Sequence, residues 1–183
     1  SRLNAADGMA TPLAHKEYDR MYAILGAKPV HATLAMHWAR LIELLYASEH
    51  CLELALDSDI VGKELRTPIT SIVGEGVDTV EAQRGTLTHH YWTDEKGLVT
   101  KVNIIVGTTN NNAAINMSIK KAAQGLIKKG VEVTDGTLNM IEMAFRAYDP
   151  CFSCATHSLP GQMPLIVEIK EEDGRLIQRI TRN

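Results

Sequence analysis

Hydrophobic and polar positions follow two different periods along the chain, and the switches between them outline its elements. Residues 1–12, SRLNAADGMATP, are polar and turn-rich and read as a leading loop. From Leu13 to Leu25 the spacing is helical, and it stops at Gly26, a common helix terminator. The longest regular stretch comes next, residues 32–57, where Leu34, Trp38, Leu41, Leu45, Leu52 and Ala55 recur near the helical period. Other apolar residues lie between them, which predicts a helix enclosed on most sides. Residues 58–82 hold Gly62, Gly74, Gly76 and Pro68, and are expected to form a loop.

The period then shortens. GTLTHHYWTDEKGLVTKVNIIVGTT reads as two strands around the turn DEKG at 94–97, a β-hairpin. NNNAAINMSIKKAAQGLIKKG opens on asparagines suited to capping a helix and closes on Gly130. TDGTLNMIEMAFRAYD is a further helix that runs into Asp149-Pro150. The tail alternates again, with strand-like runs at 164–170 and 175–181 around an Asp-Gly turn. The expected class is α+β: mostly helical, with a central β-hairpin and a C-terminal strand pair. There is no internal repeat, low-complexity region or long linker.

Composition narrows the function without naming it. At 183 residues and 45% hydrophobic, the chain can bury one ordinary core, as one domain or two small lobes. A net charge of −3 gives no general attraction to nucleic acid or to an anionic membrane. The basic pairs within IKK at 119–121 and 127–129 sit on helical positions and read as solvated faces. No apolar run reaches the roughly 20 residues that span a bilayer, and no signal peptide is recognised. Three cysteines make no disulfide framework; they suit a reducing compartment, where paired cysteines usually mean metal or redox chemistry.

That pairing is in AYDPCFSCATHSLPGQ, where Cys151, Cys154 and His157 follow a C-x-x-C-x-x-H spacing. Thiolates three residues apart can face one ion if the backbone turns tightly, and Pro150 helps by ending the preceding helix. One pair supplies two ligands, whereas a closed structural zinc site needs four. A thioredoxin-like pair would open a helix after a strand, whereas this one follows a helix. Metal ligation, redox chemistry and an incidental turn all stay open on spacing alone.

The residues around the motif are more specific. RAYDPCFSCATH resembles the C-terminal signature of nickel–iron hydrogenase large subunits, D-P-C-x-x-C-x-x-H. EAQRGTLTHHYWTDEKGLVTKVNIIVGTTNNNAAIN, residues 81–116, is similar to the family stretch that runs from E-A-P-R-G through a hairpin to T-T-x-N-N-x-A. RLNAADGMATPLAHKEYDRM and PVHATLAMHWARLIELL resemble the cytoplasmic, bidirectional branch, which includes the NAD(P)-linked and the methyl-viologen-reducing (F420-non-reducing) enzymes. The likeness covers essentially the whole chain, but only the C-terminal part of a large subunit.

The resemblance implies roles at numbered positions. In this family four cysteine thiolates, two from each of two C-x-x-C motifs, hold nickel beside an iron that carries CO and cyanide. Carried over, Cys151 is a terminal nickel ligand, also able to take a proton when H2 is split, and Cys154 bridges nickel and iron. Arg84 corresponds to the arginine over the open metal position, a rigid and always charged donor within reach of H2. Gln83 stands where the family usually has proline, which loosens the approach to Arg84. Thr109, Asn110 and Asn111 match the stretch around the iron's diatomic ligands, Asn110 replacing a common Gln; Asn111 could equally cap a helix. His157 resembles the residue after which the precursor is cut and which can contribute to a magnesium site. The expected cleavage is between His157 and Ser158. Residues 1–157 would then be the C-terminal region of a large subunit, with 158–183 a maturation extension.

Other candidates are set lower. His89 and His90 are neighbours in a predicted strand and point to opposite faces. Cys51 reads as a small buried hydrophobe, and Met9, Met21, Met36, Met117, Met140 and Met143 as core fillers. His31, His37 and His50 read as hydrogen-bonded helix histidines. The family's first C-x-x-C and its N-terminal relay acid have no counterpart here, and the chain opens on Ser1. The chain is therefore expected to be a fragment, a truncated product or one of two split pieces, inactive alone. Its expected partners are the remainder of the large subunit, a maturation endopeptidase and an iron–sulfur small subunit, with H2 as the intact enzyme's substrate. Two alternatives are a quinone-binding respiratory relative, disfavoured by retention of both cysteines, and a stand-alone, non-catalytic metal-binding or scaffold domain.

Overall fold

The computed structural model describes residues 2–159, 162 and 164–182. Its elements in chain order are α1 (Arg2–Ala5), α2 (Pro12–Leu25), α3 (Ala35–Leu56), β1 (Glu75–Ala82), β2 (Gly85–Thr93), β3 (Val99–Ile105), α4 (Asn112–Leu126), α5 (Asp135–Arg146), α6 (Phe152–Thr156), β4 (Leu165–Lys170) and β5 (Leu176–Arg182). There are also short 3-10 turns at Ser58–Val61 and Gly107–Asn111. The α+β class therefore holds. The chain divides into two compact units, residues 1–72 with 115–148 and residues 73–114 with 149–183.

The first unit is built on α2 and α3. Leu3, Ala14, Tyr18, Met21 and Ile42 form its buried cluster, with Met9, Tyr22, Trp38, Leu45 and Tyr46 packed against it. The expected leading loop is partly the helix α1. Its placement follows from polar side chains: Tyr18 donates its hydroxyl to the Ala6 carbonyl at 2.6 Å, and Asn4 pairs with both backbone groups of Val30 at 2.9 and 3.1 Å.

Helix α2 is capped from a distance. Pro12 fits its first turn, where no backbone N–H is needed. Thr11 occupies the N-cap position, but its hydroxyl points instead at Glu49 of α3, 2.6 Å away. The Glu49 carboxylate accepts the free N–H groups of Leu13 and Ala14 at 3.1 and 2.9 Å, the task a capping side chain would perform. These three donors hold its pKa below the ordinary glutamate value, the Thr11 hydroxyl contributing most.

Helix α3 corrects the expected enclosure. Trp38, Ile42 and Leu45 belong to the packed side, but Leu41, Leu44 and Leu52 are 64%, 62% and 64% exposed. Cys51, expected to be buried, lies exposed on the same helix. Met21 is buried as expected, whereas Met117, Met140 and Met143 are exposed. Period alone marks apolar faces; it does not say which face finds a partner within the chain. His37 and His50 do pair with neighbours one turn away, Arg40 and Glu53. All four lysines of the IKK runs are exposed.

The second unit begins with the antiparallel sheet β1-β2-β3. Residues 75–82, expected to be loop, form β1, an edge strand whose Val77 and Val80 remain half open to solvent and whose glutamates hide the alternation. Register pairs Ala82 with Gly85, so Gln83 and Arg84 are the two residues of a tight turn. The β2–β3 turn falls where expected: the Asp94 carboxylate accepts the N–H groups of Lys96 and Leu98 at 2.8 and 2.9 Å, with Gly97 at φ 77°. His89 packs edge-on against Tyr91 while His90 pairs with Glu75 and lies against Trp92, which puts the two histidines on opposite faces. Strands β4 and β5 form a separate two-stranded sheet. Among the described residues, no helix is long and apolar enough to cross a membrane.

Candidate metal centre

Helix α5 ends at Arg146, ahead of Pro150, and the chain passes through Asp149 in the left-handed region at φ 49°. Asparagine and aspartate tolerate that region better than most residues because their short polar side chains bond locally. The chain then enters α6, a five-residue helix missed in the sequence reading, with Cys151 at its N-cap position and His157 at its end. His157 also adopts the left-handed region, at φ 54°, and closes the turn as Ser158 donates to the Ser153 carbonyl at 3.1 Å. Asp149 and His157 are the two non-glycine residues with positive φ among those described, and they bracket the cysteine motif.

One helical turn explains why the sulfurs meet. Residues at i and i+3 lie on the same helix side, so Cys151 and Cys154 face each other, with Cα atoms 5.4 Å apart and their sulfurs paired. The same approach suits a disulfide or two thiolates sharing one ion. The Cys151 N–H donates to the hydroxyl of Thr108 at 3.2 Å, and Thr108 is only 3% exposed. Thr108 therefore fixes the start of the motif from the 3-10 turn Gly107–Asn111. Sequence reading singled out its neighbour Thr109, which is half-buried and makes a backbone bond to Val106 at 3.1 Å.

Arg84 reaches the same turn from the sheet. Its Nε donates to Asp149 Oδ2 at 2.9 Å, with the two side chains 30% and 43% exposed. Its backbone is tied as well: the Asn111 amide donates to the Arg84 carbonyl at 2.7 Å, and the Asn110 amide to the Thr86 carbonyl at 2.9 Å. The two asparagines thus brace the Arg84 turn. Both bonds use the amide nitrogen as donor, which leaves the Asn111 side-chain oxygen as an acceptor at the start of α4.

Two glycines let these pieces approach. A Cβ on Gly107 would lie 3.1 Å from the Gly85 nitrogen, and one on Gly85 3.0 Å from the Gly107 carbonyl oxygen. Gly85 also sits at φ 140°, which L side chains rarely adopt. The backbone of Arg84-Gly85 therefore lies directly against the backbone of Gly107. Asp149, Thr108 and Gly107 were not singled out in the sequence; the D-P-C context was the one signal that could have found Asp149.

Two sulfurs converge, but among the described residues no group of three or more His, Cys, Asp or Glu could hold a metal ion. His157 follows Cys154 by three residues with an exposed side chain at the end of α6. Arg84, Asp149, Thr108, Cys151 and Cys154 are brought into one network, with Asn110 and Asn111 behind Arg84.

A family model described as nickel-dependent hydrogenase matches residues 7–157. The chain is 48% identical over 180 residues to an iron-sulfur subunit of the F420-non-reducing hydrogenase of Archaeoglobus profundus, covering 98% of this chain and 37% of that protein. It is 43% identical over 183 residues to the NAD-reducing hydrogenase HoxS subunit beta of Cupriavidus necator, covering 99% of this chain and 37% of the relative. Among solved structures, an NAD+-reducing [NiFe]-hydrogenase in the H2-reduced state superimposes with a TM-score of 0.78 at 43% identity, over 85% of this chain and 34% of that one. The chain thus spans well under half the length of the curated relatives it matches, in their C-terminal part. It belongs to the nickel-dependent hydrogenase family, as the C-terminal part of a large subunit.

Proposed function

We propose that this chain supplies the C-terminal half of the nickel–iron centre of a hydrogenase large subunit, whose reaction is the reversible oxidation of H2. The observation that carries the reading is the convergence of Cys151 and Cys154 at α6, two residues after the Asp149 that holds Arg84. Cys151 and Cys154 would be this chain's two thiolate ligands, Cys151 to nickel alone and Cys154 to nickel and iron. The bound centre, with CO and cyanide on its iron, supplies the electron-rich site at which H2 is activated. Everything else assigned to this chain is positioning and proton handling.

Arg84 is the fixed charge at the open side of the cysteine pair. Asp149 takes up its Nε and so leaves the terminal guanidinium nitrogens to point elsewhere, a division of labour that a lysine could not reproduce. Cys151, as thiolate, is the group that can hold a proton beside it. Thr109 and Asn110 lie in the stretch assigned to the iron's diatomic ligands, and His157 is a candidate for a magnesium site. The remaining two nickel thiolates, and the iron–sulfur small subunit that takes the electrons, belong to other polypeptide. The names of the relatives support an enzyme of the F420-non-reducing or NAD-linked kind, which is read as cytoplasmic.

Residues 158–183 are read as a maturation extension, cut between His157 and Ser158 by a dedicated endopeptidase. Support comes from the family match ending at residue 157, and from a tail whose strands, among the described residues, form a two-stranded sheet of their own. A second reading, a non-catalytic scaffold carrying a Cys151–Cys154 disulfide, is favoured by the pairing of the two sulfurs.

Metal content decides between them. In a complete large subunit carrying this sequence, matured with its small subunit, Cys151→Ser and Cys154→Ser should each abolish stoichiometric nickel. Retention of nickel by either variant would refute the assignment. The chain by itself should bind no stoichiometric nickel, and mass spectrometry of the nickel-loaded enzyme should find a C-terminus at His157.

A further inference from the structure

The strongest unexplained feature outside the cysteine site is on α3. One strip of this helix carries Leu41, Leu44, Ser48, Cys51, Leu52 and Ala55, all exposed and none charged. These positions fall within one sector of the helix at 3.6 residues per turn, and extend about 21 Å along it at 1.5 Å per residue. The packed residues Trp38, Ile42 and Leu45 occupy a different sector, and the charged residues Arg40, Glu43, Glu49 and Glu53 lie outside the strip. Helix α3 thus has two apolar faces, of which its own unit covers one. A lone exposed leucine needs no explanation, but a continuous uncharged strip of this length marks an interface.

We propose that this strip is the seat of the remainder of the large subunit, the polypeptide that carries the other cysteine pair. The inference rests on the reading given above, that the chain is part of such a subunit. The chain covers 37% of the Archaeoglobus profundus relative, so the larger part of that protein lies outside it. The chemistry of the strip agrees: leucines interleaved with Ser48, Cys51 and Ala55 allow a helix to approach closely, and the lack of charge along it resembles a domain core cut in two rather than a transient surface. A second copy of this chain would bring only another Cys151–Cys154 pair and would leave the larger part of the relatives unaccounted for.

Cys51 is a built-in reporter, because it is the free cysteine of the described chain and lies in the strip. The test joins the portion of the Archaeoglobus profundus protein that precedes the match to this chain, with Cys151→Ser and Cys154→Ser in both the fusion and the isolated chain. Maleimide labelling of Cys51, read peptide by peptide by mass spectrometry, should be at least ten-fold slower in the fusion. The pair Leu44→Glu and Leu52→Glu should restore fast labelling in the fusion, while leaving the helicity of the isolated chain unchanged.

Equal labelling rates in fusion and chain would overturn the proposal. A dimer of the isolated chain that the same two substitutions dissolve in sedimentation would assign the strip to a second copy and overturn it as well. If the fusion is insoluble, co-expression decides: a tagged N-terminal portion should retain this chain and lose the Leu44→Glu, Leu52→Glu variant, and equal retention of both counts against the idea. No arm uses nickel. Failure here therefore leaves the cysteine assignment standing, and failure of the nickel measurement leaves the strip's role standing.

Discussion

Gly107→Ala tests the reasoning that joins the sheet to the cysteine turn. The added methyl would lie 3.1 Å from the Gly85 nitrogen, 3.2 Å from the Arg84 carbonyl carbon and 3.3 Å from the Gly85 carbonyl carbon. All three neighbours are backbone, so no side chain can rotate out of the way. Unlike Gly85, Gly107 is not among the glycines at positive φ, and its cost is therefore contact alone. Forcing a methyl into a packed site of this kind costs about 1–3 kcal/mol. For a domain near this size each kcal/mol lowers Tm by roughly 2–4 °C, which predicts a fall of about 2–12 °C. The local signature is more telling than the melting point. Thr108 and Asn111 sit in the displaced turn and hold the Cys151 N–H and the Arg84 carbonyl, so alkylation of the reduced Cys151 and Cys154 should also change rate. The assays are thermal unfolding followed by circular dichroism, urea unfolding read the same way, and timed thiol labelling. A variant with the parent's midpoints and the parent's labelling rates would refute the claim that close backbone approach at Gly85 and Gly107 builds the site.

Further expectations follow from other contacts. Thr108→Val removes the acceptor of the Cys151 N–H at an almost fully buried position and should destabilise by about 1–3 kcal/mol, measured by the same unfolding curves; Thr108→Ser, which keeps the oxygen, should recover most of it. Asp149→Asn should be milder than Asp149→Ala, since asparagine keeps a side chain tolerant of positive φ, while both lose the Arg84 ion pair; equal costs would mean that the backbone conformation carries none of the effect. Tyr18→Phe removes a buried hydroxyl that donates to Ala6 and should cost about 0.5–1.5 kcal/mol in unfolding, with loosened proteolytic protection of residues 1–10 as the local sign. Glu49 has its pKa depressed in the fold, so its stabilising contribution is complete above the unfolded value of about 4.3 and disappears as pH falls through the lower folded value. Glu49→Gln should therefore flatten the acid limb of a stability–pH profile and leave the slope near neutral pH unchanged.

The helices α2, α4 and α5, the turn at 94–97 and the tail hairpin were legible because each follows from local rules. Period, a stop at Gly26 or Pro150, and aspartate or glycine at the turns suffice to draw them. The cysteine pair was legible too, since i and i+3 spacing and a preceding proline already imply sulfurs that can meet. What local rules could not supply were pairings between distant residues. Strand β1 looked like a loop because an edge strand half open to solvent needs no clean alternation; only its register with β2 shows it to be a strand. The capping of α2 by Glu49 joins positions 35 or more residues apart, and nothing near Thr11 announces it.

The sequence by itself determined the family and the cysteine pair, because both reside in contiguous stretches that keep their meaning in one dimension. The tertiary structure decided what surrounds that pair. Arg84 meets Asp149 across 65 positions and Cys151 meets Thr108 across 43, contacts that exist only once two glycines let a hairpin and a 3-10 turn touch backbone to backbone. It also decided that α3, apolar on two faces, covers only one of them within this chain. Hydrophobicity marks a face for burial, but only the partner's position in space determines whether that burial is achieved.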